Sequence, residues 1–145
     1  MRTWTEQRHV AADPEAVLDM LTDPDACRRW SPVPFDLDGA YAGRLAAGSQ
    51  MRVSGSLAGK RVGFEVHVHE ADAGRLALSA HGPVAFDVAY EARAARGGSD
   101  VRASVSVRSA GGLFGRMAES ATAALLQAGA LGAAVDRIAA SAAVH

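Results

Sequence analysis

The pair of residues best spaced for chemistry is His67 and His69. On a β-strand, side chains two apart point the same way, so the two imidazoles would be able to share a metal ion or a proton. The same alternation sets Glu65 beside them and Val66 and Val68 on the opposite side, which is what a wet strand face looks like, and that reading is the simpler. His81 sits beside Gly82-Pro83 at a strand end, where a surface role is the ordinary one, and His9 is ambiguous by face. Tyr90 differs from these. It falls on the apolar side of its strand with Phe86 and Val88, so its hydroxyl must find a partner or point into an interior space; the alternative is a tyrosine at a sheet edge reaching solvent. Asp136 is the one acid placed to face a buried space, and pairing with a base or with water is the commoner fate of such a carboxylate. Cys27 reads as a small packing residue. The sequence has no glycine-rich phosphate loop, no CxxC, no HExxH and no GxSxG, so no catalytic residue, metal ligand or cofactor is assigned.

Whatever these groups do, 145 residues make one domain, 1–145, long enough for a real core. Residues are 49% hydrophobic and 21% charged, and the net charge is -1. That balance gives no electrostatic reason to expect nucleic acid or an anionic membrane, because the basic residues are scattered rather than run together. A single cysteine excludes an internal disulfide and fits a reducing compartment. The opening MRTWTEQRH lacks the apolar stretch of a signal peptide, and the Ala121 to Val135 stretch is short of the ~20 residues that span a bilayer. A cytoplasmic chain without stable membrane insertion, monomeric or homodimeric, is the expectation.

Seven strands and three helices are predicted. Thr3 to Val10 is the first strand. Asp13-Pro14-Glu15 then starts a helix, with a side-chain cap, proline in the first turn and an acid near the positive helix end. It runs to about Leu21, and Asp23-Pro24-Asp25 opens a second short helix reaching Trp30, which Ser31-Pro32 stops. Strands follow at about Phe35–Tyr41, Ser49–Leu57, Arg61–Glu70, Arg75–His81, Val84–Arg93 and Asp100–Ser109. Three alternate cleanly, putting Val62, Phe64, Val66 and Val68, then Phe86, Val88, Tyr90 and Ala92, then Val101, Ala103, Val105 and Val107 on one covered face. Short turns make an antiparallel meander.

The chain closes with one long helix from Gly112 to about Ser141. A helical wheel puts Phe114, Met117, Ala121, Leu125, Ala128, Gly132, Val135 and Ala139 on one face, with Arg116, Glu119, Gln127, Arg137 and Ser141 opposite. Ala121, Ala128 and Gly132 place little volume where a core would want bulk. Laid across a curved sheet, such a helix leaves a space, unless sheet side chains reach up to fill it. Filling Ala128 with leucine would separate the two. Gly129 and Gly132 inside the helix mark a close strand, a bend or a partner chain.

The opening strand into Ala11-Ala12-Asp13-Pro14-Glu15-Ala16-Val17, the segment Leu21-Thr22-Asp23-Pro24 through Trp30-Ser31-Pro32, and the long terminal helix resemble the helix-grip superfamily. Its members include START, birch-pollen-allergen-like and small bacterial polyketide cyclase/dehydrase domains. The resemblance implies an α+β fold in which a seven-stranded curved antiparallel sheet wraps the last helix around an apolar ligand. Trp30 and Phe35 would then lie near the cavity entrance, although Trp30 serves equally as an aromatic plug between helix and sheet. Trp30, Phe35, Met51, Phe64, Val66, Phe86, Val88, Tyr90, Phe114, Met117, Ala121, Leu125 and Ala128 are the expected ligand-binding residues. The function implied is binding or carriage of a lipid-like or polycyclic molecule. The alternative, an aromatase/cyclase folding a poly-carbonyl chain, would need convergent acid and base groups on positions held mostly by Val, Ala, Phe and Met.

Overall fold

The structure, a computed structural model, describes residues 2–30, 35–37, 43–57, 59–109 and 111–142. The predicted strand beyond residue 37 and the Ser31-Pro32 stop lie outside these. The elements in chain order are β1 (Arg2–Val10), α1 (Pro14–Thr22), α2 (Pro24–Trp30), β2 (Phe35–Leu37), β3 (Gln50–Leu57), β4 (Lys60–Asp72), β5 (Arg75–His81), β6 (Val84–Ala95), β7 (Gly98–Ser109), α3 (Gly112–Gln127) and α4 (Ala130–Ala142).

All seven strands form one antiparallel sheet in the order β1-β7-β6-β5-β4-β3-β2. Only the first strand leaves sequence order, crossing to pair with the last. The register sets the alternating apolar positions on a common face: Val66 opposite Ala80, Leu78 opposite Val88, Val88 opposite Val105. Valine, phenylalanine and alanine there are mostly buried, and their polar neighbours lie outside, as period-two patterning dictates. A bulge between Val68 and Glu70 breaks the β4–β5 register. Such an insertion bends its strand and steepens the local twist, which helps this sheet to curl.

The hairpin joining β4 to β5 turns on Ala73 and Gly74, both at positive φ (51° and 77°). A two-residue turn of this hand matches the strand twist, and alanine is the wrong residue for its first position. Ala73→Asn should therefore raise stability by about 0.5–1 kcal/mol, read as a higher urea midpoint at unchanged m-value; no gain would mean the turn relaxes without cost.

The caps are where the sequence places them. Asp13 accepts from the Ala16 amide at 2.8 Å and Asp23 from the Asp25 amide at 3.0 Å. The long terminal helix, by contrast, is two helices. Gly129 takes φ 95°, the Ala128 and Gly129 amides just past α3 donate back to the Ala124 and Leu126 carbonyls, and the axes of α3 and α4 differ by 55°. Glycine 129 is thus the bend. Glycine 132 is the close strand, since a Cβ there would stand 3.0 Å from the Arg8 guanidinium of β1 and 3.5 Å from Glu6.

The break gives the helices separate tasks. α4 packs on β1, β7, α1 and α2, burying Leu131, Val135 and Ile138, and shuts one end of the sheet. α3 crosses the concave face, touching β6 and β7 on one side and β3 on the other. No single helix among the described residues is long and apolar enough to cross a membrane.

Candidate ligand-binding site

The face of α3 that meets the sheet is not the one the wheel picks. Gly115, Ala118, Thr122, Ala123 and Leu126 are buried, whereas Leu113 is 77%, Met117 48% and Leu125 40% exposed. Apart from Leu126 near its end, small residues lie inward where α3 packs against β6 and β7. The expected thin stripe is therefore displaced around the helix, and its thinness reflects contact at that line. Thr122 meets its own need by donating to the Ala118 carbonyl at 2.8 Å.

The apolar stripe of Phe114, Met117, Ala121 and Leu125 becomes one flank of α3. It looks toward the β3–β4 hairpin, because the Lys60 ammonium lies 5.2 Å from the centre of the Phe114 ring. Phe114 and Ala121 are half-buried on this flank, and Ala128 is exposed at its end. Ala128→Leu consequently fills no interior space, contrary to expectation.

On the sheet side, Phe64 and Val66 are buried, while Phe35, Met51, Leu78, Phe86 and Val88 are only half-covered. Phe64 and Phe86 stand 5.5 Å apart, tilted by 46°. Of the expected binding residues, Phe35, Met51, Phe64, Val66, Phe86, Val88 and Phe114 lie in or against one apolar cluster, with Ala121 half-buried on α3 and Met117 and Leu125 at the solvent side. Leu78 is an addition. It pairs with Val88, and the alternation of Leu76, Leu78 and Ala80 was the available signal.

Trp30 and Tyr90 belong to the same core cluster but are both buried. Trp30 is 5% and Tyr90 0% exposed, so Tyr90 offers no surface to a ligand in this conformation, contrary to the expected lining role. The indole stands edge-on to the phenol, with ring centroids 4.9 Å apart, and donates from Nε1 to the Met20 carbonyl at 3.2 Å. Here Trp30 is the plug between α2 and the sheet. Cys27 donates from Sγ to the Leu21 carbonyl at 3.2 Å, and burial pushes its thiol up to about 12. Burial likewise pushes the Tyr90 phenol up. Neither group supplies a nucleophile or base near neutral pH.

The remaining polar candidates lie elsewhere. Arg8 bonds Asp136 from Nε at 3.3 Å and Glu6 from Nη1 at 3.0 Å, so Asp136 finds its base at the surface. His9 approaches Asp100 at 3.4 Å, and the His67 and His81 rings meet edge-on at 6.1 Å. On the outer face, His69 Nε2 is 2.7 Å from Ser79 Oγ, which donates to Asp87 Oδ1 at 2.9 Å; Arg108 holds the other Asp87 oxygen. His69, Ser79 and Asp87 border a shallow depression of about 240 Å³ lined also by Ala77 and Ala89. The order is histidine, serine, carboxylate, with the serine proton committed to Asp87. Nucleophile activation requires histidine in the middle, so this chain does not activate Ser79. Among the described residues no three His, Cys, Asp or Glu side chains are grouped to hold a metal.

A curled seven-stranded antiparallel sheet closed by helices, with two short helices after the first strand, defines the helix-grip class. The chain belongs to the family described as polyketide cyclase / dehydrase and lipid transport, whose model matches residues 1–143. Solved structures agree on the fold. The Zhui aromatase/cyclase from a Streptomyces species is similar with a TM-score of 0.69 and 15% identity over 97% of this chain and 93% of that one. A START superfamily protein from Mycobacterium smegmatis gives 0.66 and 16%, over 96% and 97%. Ara h 8.0201 gives 0.65 and 13%, covering 99% of both chains. Among curated proteins none matches the sequence.

Proposed function

We propose that this protein binds and carries an apolar small molecule, lipid-like or polycyclic, held between the Phe114–Leu125 flank of α3 and the concave face of strands β3 to β6. One observation carries the reading. From β3 to β7 the described concave positions hold mostly Val, Phe, Leu, Ala, Met and Gly, with Lys60 beside the β3–β4 turn, Tyr90 and Ser99 the polar side chains among them, and several of the larger apolar ones are left half-covered. Apolar surface that the fold leaves part-wet gains ~25 cal/mol per Å² when a ligand covers it. α3 favours an open trough beside it, since it rests on β6 and β7 at one side and reaches β3 at the other, across the curl of the sheet. The cyclase reading draws on the family description and on the likeness to Zhui. It asks for acid and base groups aimed at the substrate, and no carboxylate or imidazole stands on the described concave positions of β3 to β7.

Two measurements test this. Mass spectrometry of an organic extract of the purified protein should show a co-purified apolar molecule. Val88→Trp, which projects a large ring into the trough, should lower uptake of a naphthalene-type fluorescent dye at least about tenfold, while the thermal midpoint stays within a few degrees. A variant that instead unfolds would mean the space was already occupied by protein, because overpacking a filled core costs ~1–3 kcal/mol.

A further inference from the structure

Tyr90 lies in the line of concave positions along β6, between Val88 and the buried Ala92. Phe86, Val88 and Tyr90 follow at steps of about 6.6–6.8 Å on one face, so a ligand lying over Phe86 and Val88 meets the Trp30–Tyr90 pair next. The hydroxyl of Tyr90 is fully buried and bonds no group among the described residues, whereas the hydroxyls of Thr22, Ser99 and Thr122 each reach a backbone carbonyl at 2.6–2.8 Å. The groups that bear on it are donors. Arg137, which bonds the Trp30 carbonyl at 3.3 Å, is near enough to favour negative charge on the phenol oxygen, and the Cys27 proton is spent on Leu21. The hydroxyl proton of Tyr90 therefore calls for an acceptor, and none of the described residues supplies one.

Resting on the carrier reading above, we propose that Tyr90 is the polar anchor of the ligand, donating its hydroxyl proton to a carbonyl or carboxylate oxygen that reaches it when the Trp30 ring moves aside. The ligand class is thereby narrowed to apolar molecules with an oxygen acceptor at the leading end, such as quinones, aryl ketones or fatty acids. Trp30 is the part that must move in this step, since its indole, buried in the core and bonded to the Met20 carbonyl, stands edge-on over Tyr90.

The test compares anthraquinone with anthracene, equal in shape and differing in the two oxygens, on the full chain and on Tyr90→Phe. Wild type should hold anthraquinone about tenfold more tightly, Tyr90→Phe should remove that preference, and anthracene binding should stay the same in both. The substitution should also leave the thermal midpoint of the free protein unchanged or raise it by about 2–4 °C, since it deletes a donor with no partner. Equal loss for both probes, a preference that survives in Tyr90→Phe, or a fall in the free protein's midpoint would each overturn the anchor. If neither probe binds wild type, the carrier reading fails and the anchor with it, whereas anthracene binding without any quinone preference overturns the anchor alone.

Discussion

Gly98→Ala is expected to remove about 3 kcal/mol or more of folding free energy, enough to leave a domain of ordinary stability partly unfolded at 37 °C. Gly98 opens β7 directly after the hairpin from β6, at φ 153°, and a Cβ there would stand 2.0 Å from the Val10 carbonyl oxygen and 3.0 Å from Ala11 Cα and the Ala12 amide. These neighbours are all backbone, so no side chain can swing away to make room. The cause is topological. β1 pairs with the last strand, and the chain must leave it for α1 across the β6–β7 hairpin, pinned there by Ser99 donating to the Ala12 carbonyl at 2.6 Å. Gly129→Ala is the matching control. It too has positive φ, 95°, yet nothing lies within 4 Å, so only the conformational cost of ~1–2 kcal/mol applies. Equal urea midpoints for the two variants would show that β1 does not press on the hairpin.

Above pH 9 the protein should lose stability steeply. The Cys27 thiol rises from 9.0 to about 12 in the fold, chiefly through burial, so the folded state holds a proton that the unfolded state releases. A raised value gives a contribution that is complete below the unfolded pKa and vanishes as pH climbs through the folded one. The window is pH 9 to 12, with a slope of about 1.4 kcal/mol per pH unit and a total on the order of 4 kcal/mol. Tyr90, raised from 10.0 by burial, steepens the decline beyond pH 10. Denaturation at pH 8, 10 and 11 should give falling midpoints for wild type and a shallower fall for Cys27→Ala with Tyr90→Phe. The same burial makes Cys27 inert to iodoacetamide at pH 8 until the chain unfolds. A wild-type curve flat from pH 9 to 11 would contradict both statements.

These two results concern the parts of the molecule that the sequence describes unequally. Val62 to Val68, Phe86 to Ala92 and Val101 to Val107 declare their faces by alternation, because a strand offers only two sides and β-branched or aromatic residues mark the inner one. Asp13-Pro14 and Asp23-Pro24 declare helix starts because capping is made within four residues. The likeness of the whole order to the helix-grip superfamily follows from such local signals. The ends of strands were less legible: β4 runs to Asp72 and β7 begins at Gly98, since strand ends depend on the partner's reach.

The sequence alone determined the strand faces, the caps and an apolar concave surface, all of them consequences of chemistry between near neighbours. Tertiary structure decided how the last thirty residues are used. In a stretch so rich in alanine, no face outweighs another by much, and only the distance from α3 to β6 and β7 selects Gly115, Ala118 and Thr122 for the inside while leaving Met117 and Leu125 part-exposed on the flank. Gly132 yields to β1 because of Glu6 and Arg8, residues more than a hundred positions away. Tyr90 was legible as an inward tyrosine, but its closure under Trp30 was not, because the two meet only once α2 has folded back over β6.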